Sequence, residues 1–227
     1  MRTMLTLFLL ALLPGIPRLC SQGEKPAAGS LPAVVFTMDF PQSVPDHYSI
    51  RIAADGQAKY ESRARISQES EDTDTFSFDF TVSPATRAKV FDLASRANYF
   101  QDALDSKKSR IASTGNKTLS YQDAHRTTQA TYNYSTIPVV QELTSVFQNM
   151  ATTLEFARRL QYDHRYQKLA LDEELKRMED MAKSNLLGEL QAVDPILNQI
   201  AADSSVINIV RARAQRLMAM AGSGSSH

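Results

Sequence analysis

The longest unbroken helical pattern in the chain runs from Thr136 to Tyr166, with no glycine and no proline after Pro138. Pro138 suits a first helical turn, where its missing N–H has no partner to lose and its fixed φ is already helical. Leu143, Val146, Met150, Leu154, Ala157 and Leu160 recur every three or four residues, and Phe147 and Phe156 widen the stripe. At 1.5 Å per residue such a helix is roughly 40 Å long, longer than a small domain is wide. Strand patterns precede it and helix patterns follow it, which makes it the element both halves would share.

Before the long helix the polar and apolar positions alternate. Ala33 to Phe40, Tyr48 to Ala53, Gln57 to Ile66 and Phe76 to Val82 predict four strands, the last with Phe76, Phe78 and Phe80 on one face. Asp55-Gly56 between the second and third is a hairpin turn signal, because both positions tolerate positive φ. Ser83-Pro84 opens a helix, with Ser83 as its N-cap, Val90, Phe91, Ala94 and Ala97 inside and Leu93 at the edge. Asn98 and the pair Tyr99-Phe100 close it. Lys117 to Tyr121 and Thr127 to Tyr134 predict a second hairpin around Asp123-Ala124-His125.

After the long helix, acids at Asp172, Glu173 and Glu174 suit a helix N-terminus, and Leu175, Met178 and Ala182 its buried face. Leu186 to Val193 predicts a short helix. Asp194-Pro195 predicts another, capped by Asp194 and carrying Ile196, Leu197 and Ile200. Asp203-Ser204-Ser205 would cap the last, with Val206, Ile209, Val210, Ala214 and Leu217 inside. The expected fold class is α+β: an antiparallel sheet of about five to six strands covered by helices, then an all-α C-terminal region. The expected divisions are a signal peptide (1–21), a linker (22–31), a strand-rich domain (32–135), the bridging helix (136–166), a helical region (167–220) and a disordered tail (221–227).

The N-terminus reads as an export signal. Arg2 is followed by a run from Met4 to Leu13 that is apolar apart from Thr6, and Pro14, Gly15 and Pro17 then break it. That run is too short to cross a bilayer. Cys20 is the only cysteine, so no intramolecular disulfide can form. The box before a lipidated cysteine has Leu at its start and a small residue before the thiol; here it reads Pro17-Arg18-Leu19-Cys20. Cleavage after Cys20 is therefore favoured over lipoprotein processing at it, and the expected location is periplasmic or secreted.

Charge excludes some functions. Lys and Arg number 25 against 25 Asp and Glu, so the chain lacks the basic surplus of a nucleic-acid binder. His47, His125, His164 and His227 lie on separate segments without metal-ligand spacing, so no metal site, cofactor or catalytic residue is assigned. Glu69 to Asp74 is acidic but lacks the glycine and distal glutamate of a calcium loop, and reads as a solvated turn.

Two resemblances accompany these patterns. Tyr48-Ser49-Ile50-Arg51-Ile52, Asp55-Gly56, Tyr60, Phe76 to Phe80, Ser83-Pro84 and Tyr99-Phe100 together resemble a domain of uncharacterised exported bacterial proteins, which implies no activity. Pro195-Ile196-Leu197, Ile200-Ala201, Asp203, Val210-Arg211, Ala214 and Leu217 are similar to a single HEAT-type helical pair.

The most unusual stretch lies at the end of the long helix. Arg158, Arg159, Tyr162, Asp163, His164 and Tyr166 combine residue types favoured in interfaces, with Arg159 and Asp163 spaced to pair and Tyr162 and Tyr166 to stack. These six are the expected binding residues. The expected function is a non-catalytic binding or scaffold module of the cell envelope, with another envelope protein as partner. The alternative is an enzyme or enzyme inhibitor whose site is assembled only in three dimensions.

Overall fold

A computed structural model describes residues 31–41, 43–65, 72–106 and 112–224. The expected signal with Cys20, most of the expected linker, residues 66–71 of the acidic turn and the last residues of the tail lie outside the described residues.

Six strands form one antiparallel sheet: β1 (Ala33–Asp39), β2 (His47–Ala53), β3 (Gln57–Arg65), β4 (Thr73–Thr81), β5 (Asn116–Gln122) and β6 (Thr127–Tyr132), ordered β4-β3-β2-β1-β5-β6. Helix α1 (Pro84–Arg96) follows β4, and after β6 come α2 (Pro138–Tyr166), α3 (Leu171–Lys183), α4 (Asp194–Ala202) and α5 (Asn208–Gly224). This is the α+β fold that the alternation predicts. Among the described residues no helix is long and apolar enough to cross a membrane.

Register sorts the core face of the sheet into rows. Phe80, Ala58, Ile52, Val34 and Tyr121 make one row, and Phe78, Tyr60, Ile50, Phe36 and Leu119 the next. The third runs Phe76, Ser62, Tyr48, Met38, Lys117 and Tyr132. The first two rows are almost wholly apolar, whereas the third carries hydroxyls and an ammonium group.

Helix α2 lies across the strands. Its Thr144 hydroxyl meets the Tyr132 hydroxyl of β6 at 2.6 Å, and the Phe147 ring stacks on Phe36 of β1 with centroids 5.2 Å apart. Glu155 accepts from Tyr60 of β3, and Arg158 pairs with Asp74 of β4. Residues 144–158 span roughly 21 Å at the helical rise. Five strand spacings from β6 to β4 come to roughly 24 Å. The length of α2 thus matches the width of the sheet. Near that edge the apolar stripe changes partners, and beyond it the helix overhangs. Val140, Leu143, Phe147, Met150 and Leu154 belong to the sheet core, whereas Phe156, Ala157 and Leu160 pack with Leu171, Leu175, Met178, Ile196 and Val210.

Several local expectations are corrected. Leu93 is fully buried and Phe91 only half so, because Val90, Leu93, Ala94 and Ala97 form the inward arc of α1. Ile209 is exposed, since Val210, Ala214 and Leu217 already fill the inner face of α5. Residues 186–189 are not helical, and only Leu190–Val193 form a 3-10 turn. Glu189 there takes φ +54° and aims its carboxylate at α1, where it accepts from the Ser83 amide and hydroxyl at 2.6 and 2.9 Å. Asp194 is itself helical after that turn and so caps nothing. Asp203 folds onto the amide and hydroxyl of Ser205 instead of capping α5, which starts at Asn208. Asn98, Tyr99 and Phe100 all have positive φ (49°, 50° and 63°). Burial of Phe100 and the stacking of Tyr99 between Tyr121 and Arg126 hold that left-handed turn.

Helices α3 and α5 are joined by a buried carboxylate. Glu179 accepts from Arg213 at 2.9 Å and from Arg216 at 3.2 Å, and pairs with Lys183 at 3.0 Å. Led by Arg216, these cations hold its carboxyl at about 2, below the ordinary 4.5, against a burial that pushes it up. A carboxyl depressed on folding stabilises the native state fully above its unfolded pKa and loses that contribution as pH falls toward the folded one. Urea titrations should therefore show stability falling between pH 4.5 and about 2. Glu179→Gln should be less stable at neutral pH and show a flatter acid limb over that window.

Candidate functional site

The six residues expected to bind fall on three faces of α2. Arg158, one quarter exposed, donates Nε to Glu155 at 2.9 Å and reaches Asp74 on β4 at 3.3 Å. Arg159 turns to Glu174 of α3 rather than to Asp163, and its guanidinium lies 4.6 Å from the Phe156 ring centroid. The expected Arg159–Asp163 pair does not form, because the overhanging helix is packed against α3 and Glu174 is the nearer acid. Burial raises the Asp163 carboxyl above its ordinary value, the Glu174 charge adds to that, and Arg159 opposes both. His164 points away to the α4–α5 turn, where Nε2 lies 2.9 Å from Asp203 beside the Lys168 ammonium. The Tyr162 and Tyr166 rings are in contact, with centroids 5.2 Å apart, but are tilted by 50° rather than stacked, and are 53% and 63% exposed.

His164 and Asp203 resemble the base and orienting acid of a hydrolase, but the nucleophile is misplaced. The Ser205 hydroxyl donates to Asp203 at 2.6 Å rather than to the imidazole, so the imidazole does not activate it. His47 pairs with Asp39 at 2.6 Å on the sheet, and His125 sits in the β5–β6 turn. Among the described residues, no group of three or more His, Cys, Asp or Glu side chains is placed to hold a metal ion.

One functional element has no counterpart in the sequence reading. A polar stripe of Thr144, Gln148, Thr152, Glu155 and Arg159 runs along α2 beside its apolar one, and it faces the hydroxyl-bearing row of the sheet. Glu155, 6% exposed, is its centre. Its Oε1 accepts from the Tyr60 hydroxyl at 2.7 Å and the Ser62 hydroxyl at 3.0 Å, and its Oε2 accepts from Arg158. Burial raises the Tyr60 phenol far above its usual range, and the Glu155 charge raises it further, so it stays a neutral donor. Burial does the same to Tyr48. The signal was legible only as spacing: Thr144, Gln148, Thr152, Glu155 and Arg159 are each three or four residues apart.

Where this stripe parts from the sheet, a cleft of about 360 Å³ opens between β2, β3, α2 and α3. Tyr48, Tyr60, Gln148, Glu155, Arg159 and Arg177 supply its polar lining, and Val44, Pro45, Ala151 and Met181 its apolar lining. Neither His47, His125 nor Asp163 reaches it. Comparison with protein-family models gives no match, and comparison with curated proteins gives none either.

Removing the buried carboxylate should leave Tyr60 and Ser62 without this acceptor and Arg158 with Asp74 alone. Glu155→Ala should lower unfolding free energy by about 3–5 kcal/mol. Glu155→Gln, which keeps an acceptor for Tyr60, should lower it less. Urea denaturation of the two variants and the parent checks the order.

Proposed function

We propose that the protein is an exported, non-catalytic binding module of the cell envelope that engages another envelope protein through the end of α2. One observation carries this reading. The Tyr162 and Tyr166 rings meet in a tilted contact in solvent, and Leu169, in the turn that follows, is 92% exposed. Arg165 lies over the Tyr166 ring at 5.2 Å, so this face combines aromatic surface with a cation. Tyrosine and arginine dominate interface energetics because each offers a large contact area with a polar tip. Among the described residues the two rings lie outside both hydrophobic cores. The short apolar run behind Arg2 supports export. The commitment of His164 to Asp203 and Lys168 supports a binding role over a catalytic one.

A photo-crosslinking residue at position 162, introduced into the full chain and irradiated in the native envelope, tests the proposal. The expected result is a discrete protein adduct in the exported fraction, absent when the same probe replaces the exposed Lys59 on the sheet. Tyr162→Ala/Tyr166→Ala should abolish partner capture while leaving the melting temperature within about 2 °C of the parent, as expected for exposed side chains. A double variant with parental capture would contradict the proposal.

A further inference from the structure

We infer that the cleft beside Glu155 is a binding site for a small ligand bearing an oxyanion, a carboxylate or a phosphate monoester, on a flat apolar body. This goes beyond the partner surface at Tyr162 and Tyr166 and does not depend on it.

Two of the charged groups in the cleft are already answered. Both oxygens of Glu155 are taken by Tyr60, Ser62 and Arg158, and Arg158 offsets its charge. Arg159 is answered by Glu174. Arg177 is not answered: among the described residues its guanidinium has no carboxylate at ion-pair distance and no hydrogen-bond acceptor, and its one specific contact is the Phe156 ring, 5.9 Å away. Phe156 thus holds two guanidiniums, Arg159 and Arg177, at one wall of the cleft. The Tyr48 hydroxyl likewise has no partner among the described residues, and its phenol stays protonated and able to donate. The surplus is therefore one cation, from α3, and one neutral donor, from β2.

That surplus selects the ligand. A cation would meet two guanidiniums. A neutral polar molecule would leave the exposed Arg177 guanidinium without a counter-charge. A carboxylate or phosphate accepts the planar fork of an arginine in two parallel hydrogen bonds, which an uncharged group does not reproduce. Val44 and Pro45 at the lip and Ala151 and Met181 beside them supply the surface for an apolar body. A cleft of about 360 Å³ is of the size that takes one small molecule.

Calorimetric titration of the mature full chain with benzoate, phenyl phosphate and the uncharged isostere benzamide tests the assignment. One of the two anions should bind with one-to-one stoichiometry and at least ten times more tightly than benzamide. Tighter benzoate identifies a carboxylate site, and tighter phenyl phosphate a phosphate site. Arg177→Gln should weaken the anion at least ten-fold without changing the melting temperature, because that guanidinium supports no other contact of this kind. Tyr48→Phe should weaken it a few-fold. Amide chemical shifts of Gln148 and Met181 should move in the parent on addition of the anion and stay in place in the Arg177 variant. Equal affinity for benzamide, undiminished anion binding by Arg177→Gln, or no binding of either anion at millimolar concentration would each overturn the assignment.

Discussion

The structure depends on one geometric constraint. A six-stranded sheet with an apolar face must be covered across its whole width, and α2 crosses the strands to do this, with α1 packed beside it. A helix laid along the strands would cover two of them. One laid across must be long, which is why this stretch runs for 29 residues without a break. Phe147 stacked on Phe36 anchors the crossing at the central strand β1. Burying such a ring contributes roughly 1.5–3 kcal/mol. The remaining turns of the helix overhang β4, and there they form the seed of a second core with α3, α4 and α5. The two cores change over within two residues, between Leu154 and Phe156.

Glu155 sits at that changeover, and its burial follows from it. The helix face turned toward the third row of the sheet meets hydroxyls rather than methyl groups, so a carboxylate there finds donors in Tyr60 and Ser62 and a charge partner in Arg158. A buried charge is tolerable only when answered in this way. The same polar seam prevents the cores from closing on each other and leaves the cleft beside α3. The two halves are tied a second time on the far side, where Glu189 binds the amide and hydroxyl of Ser83 at the start of α1 and the Gly188 amide donates to Asn149 and Thr153 of α2.

Periodicity carried most of this architecture. The alternation of Phe76, Phe78 and Phe80 and the three-to-four spacing from Leu143 to Leu160 are local, and burial enforces them. The change of partner beyond Leu154 also followed from length alone. Pairings between distant segments were not legible. Glu189 reaches Ser83 across 106 positions and Glu155 reaches Tyr60 across 95, and no local pattern records either contact. Arg159 shows the same limit: its i,i+4 neighbour Asp163 was visible in the sequence, but Glu174 from another helix takes the guanidinium. Within the candidate interface, the contact of Tyr162 with Tyr166 was legible because it is local, although the rings are tilted and not stacked. The cleft was not, because Tyr48, Tyr60, Arg159 and Arg177 come from four different elements.

The claim that α2 is the shared wall of both cores is tested most directly by two C-terminal truncations of the chain, compared by sedimentation and far-ultraviolet circular dichroism. A chain ending at Ser135 leaves the sheet face around Phe36, Ile50 and Tyr60 bare and should aggregate. A chain ending at Gln167 retains the whole of α2 and should keep the sheet folded, with lower solubility because Phe156 and Leu160 are uncovered. A stable monomer ending at Ser135 with native sheet dichroism would contradict the account.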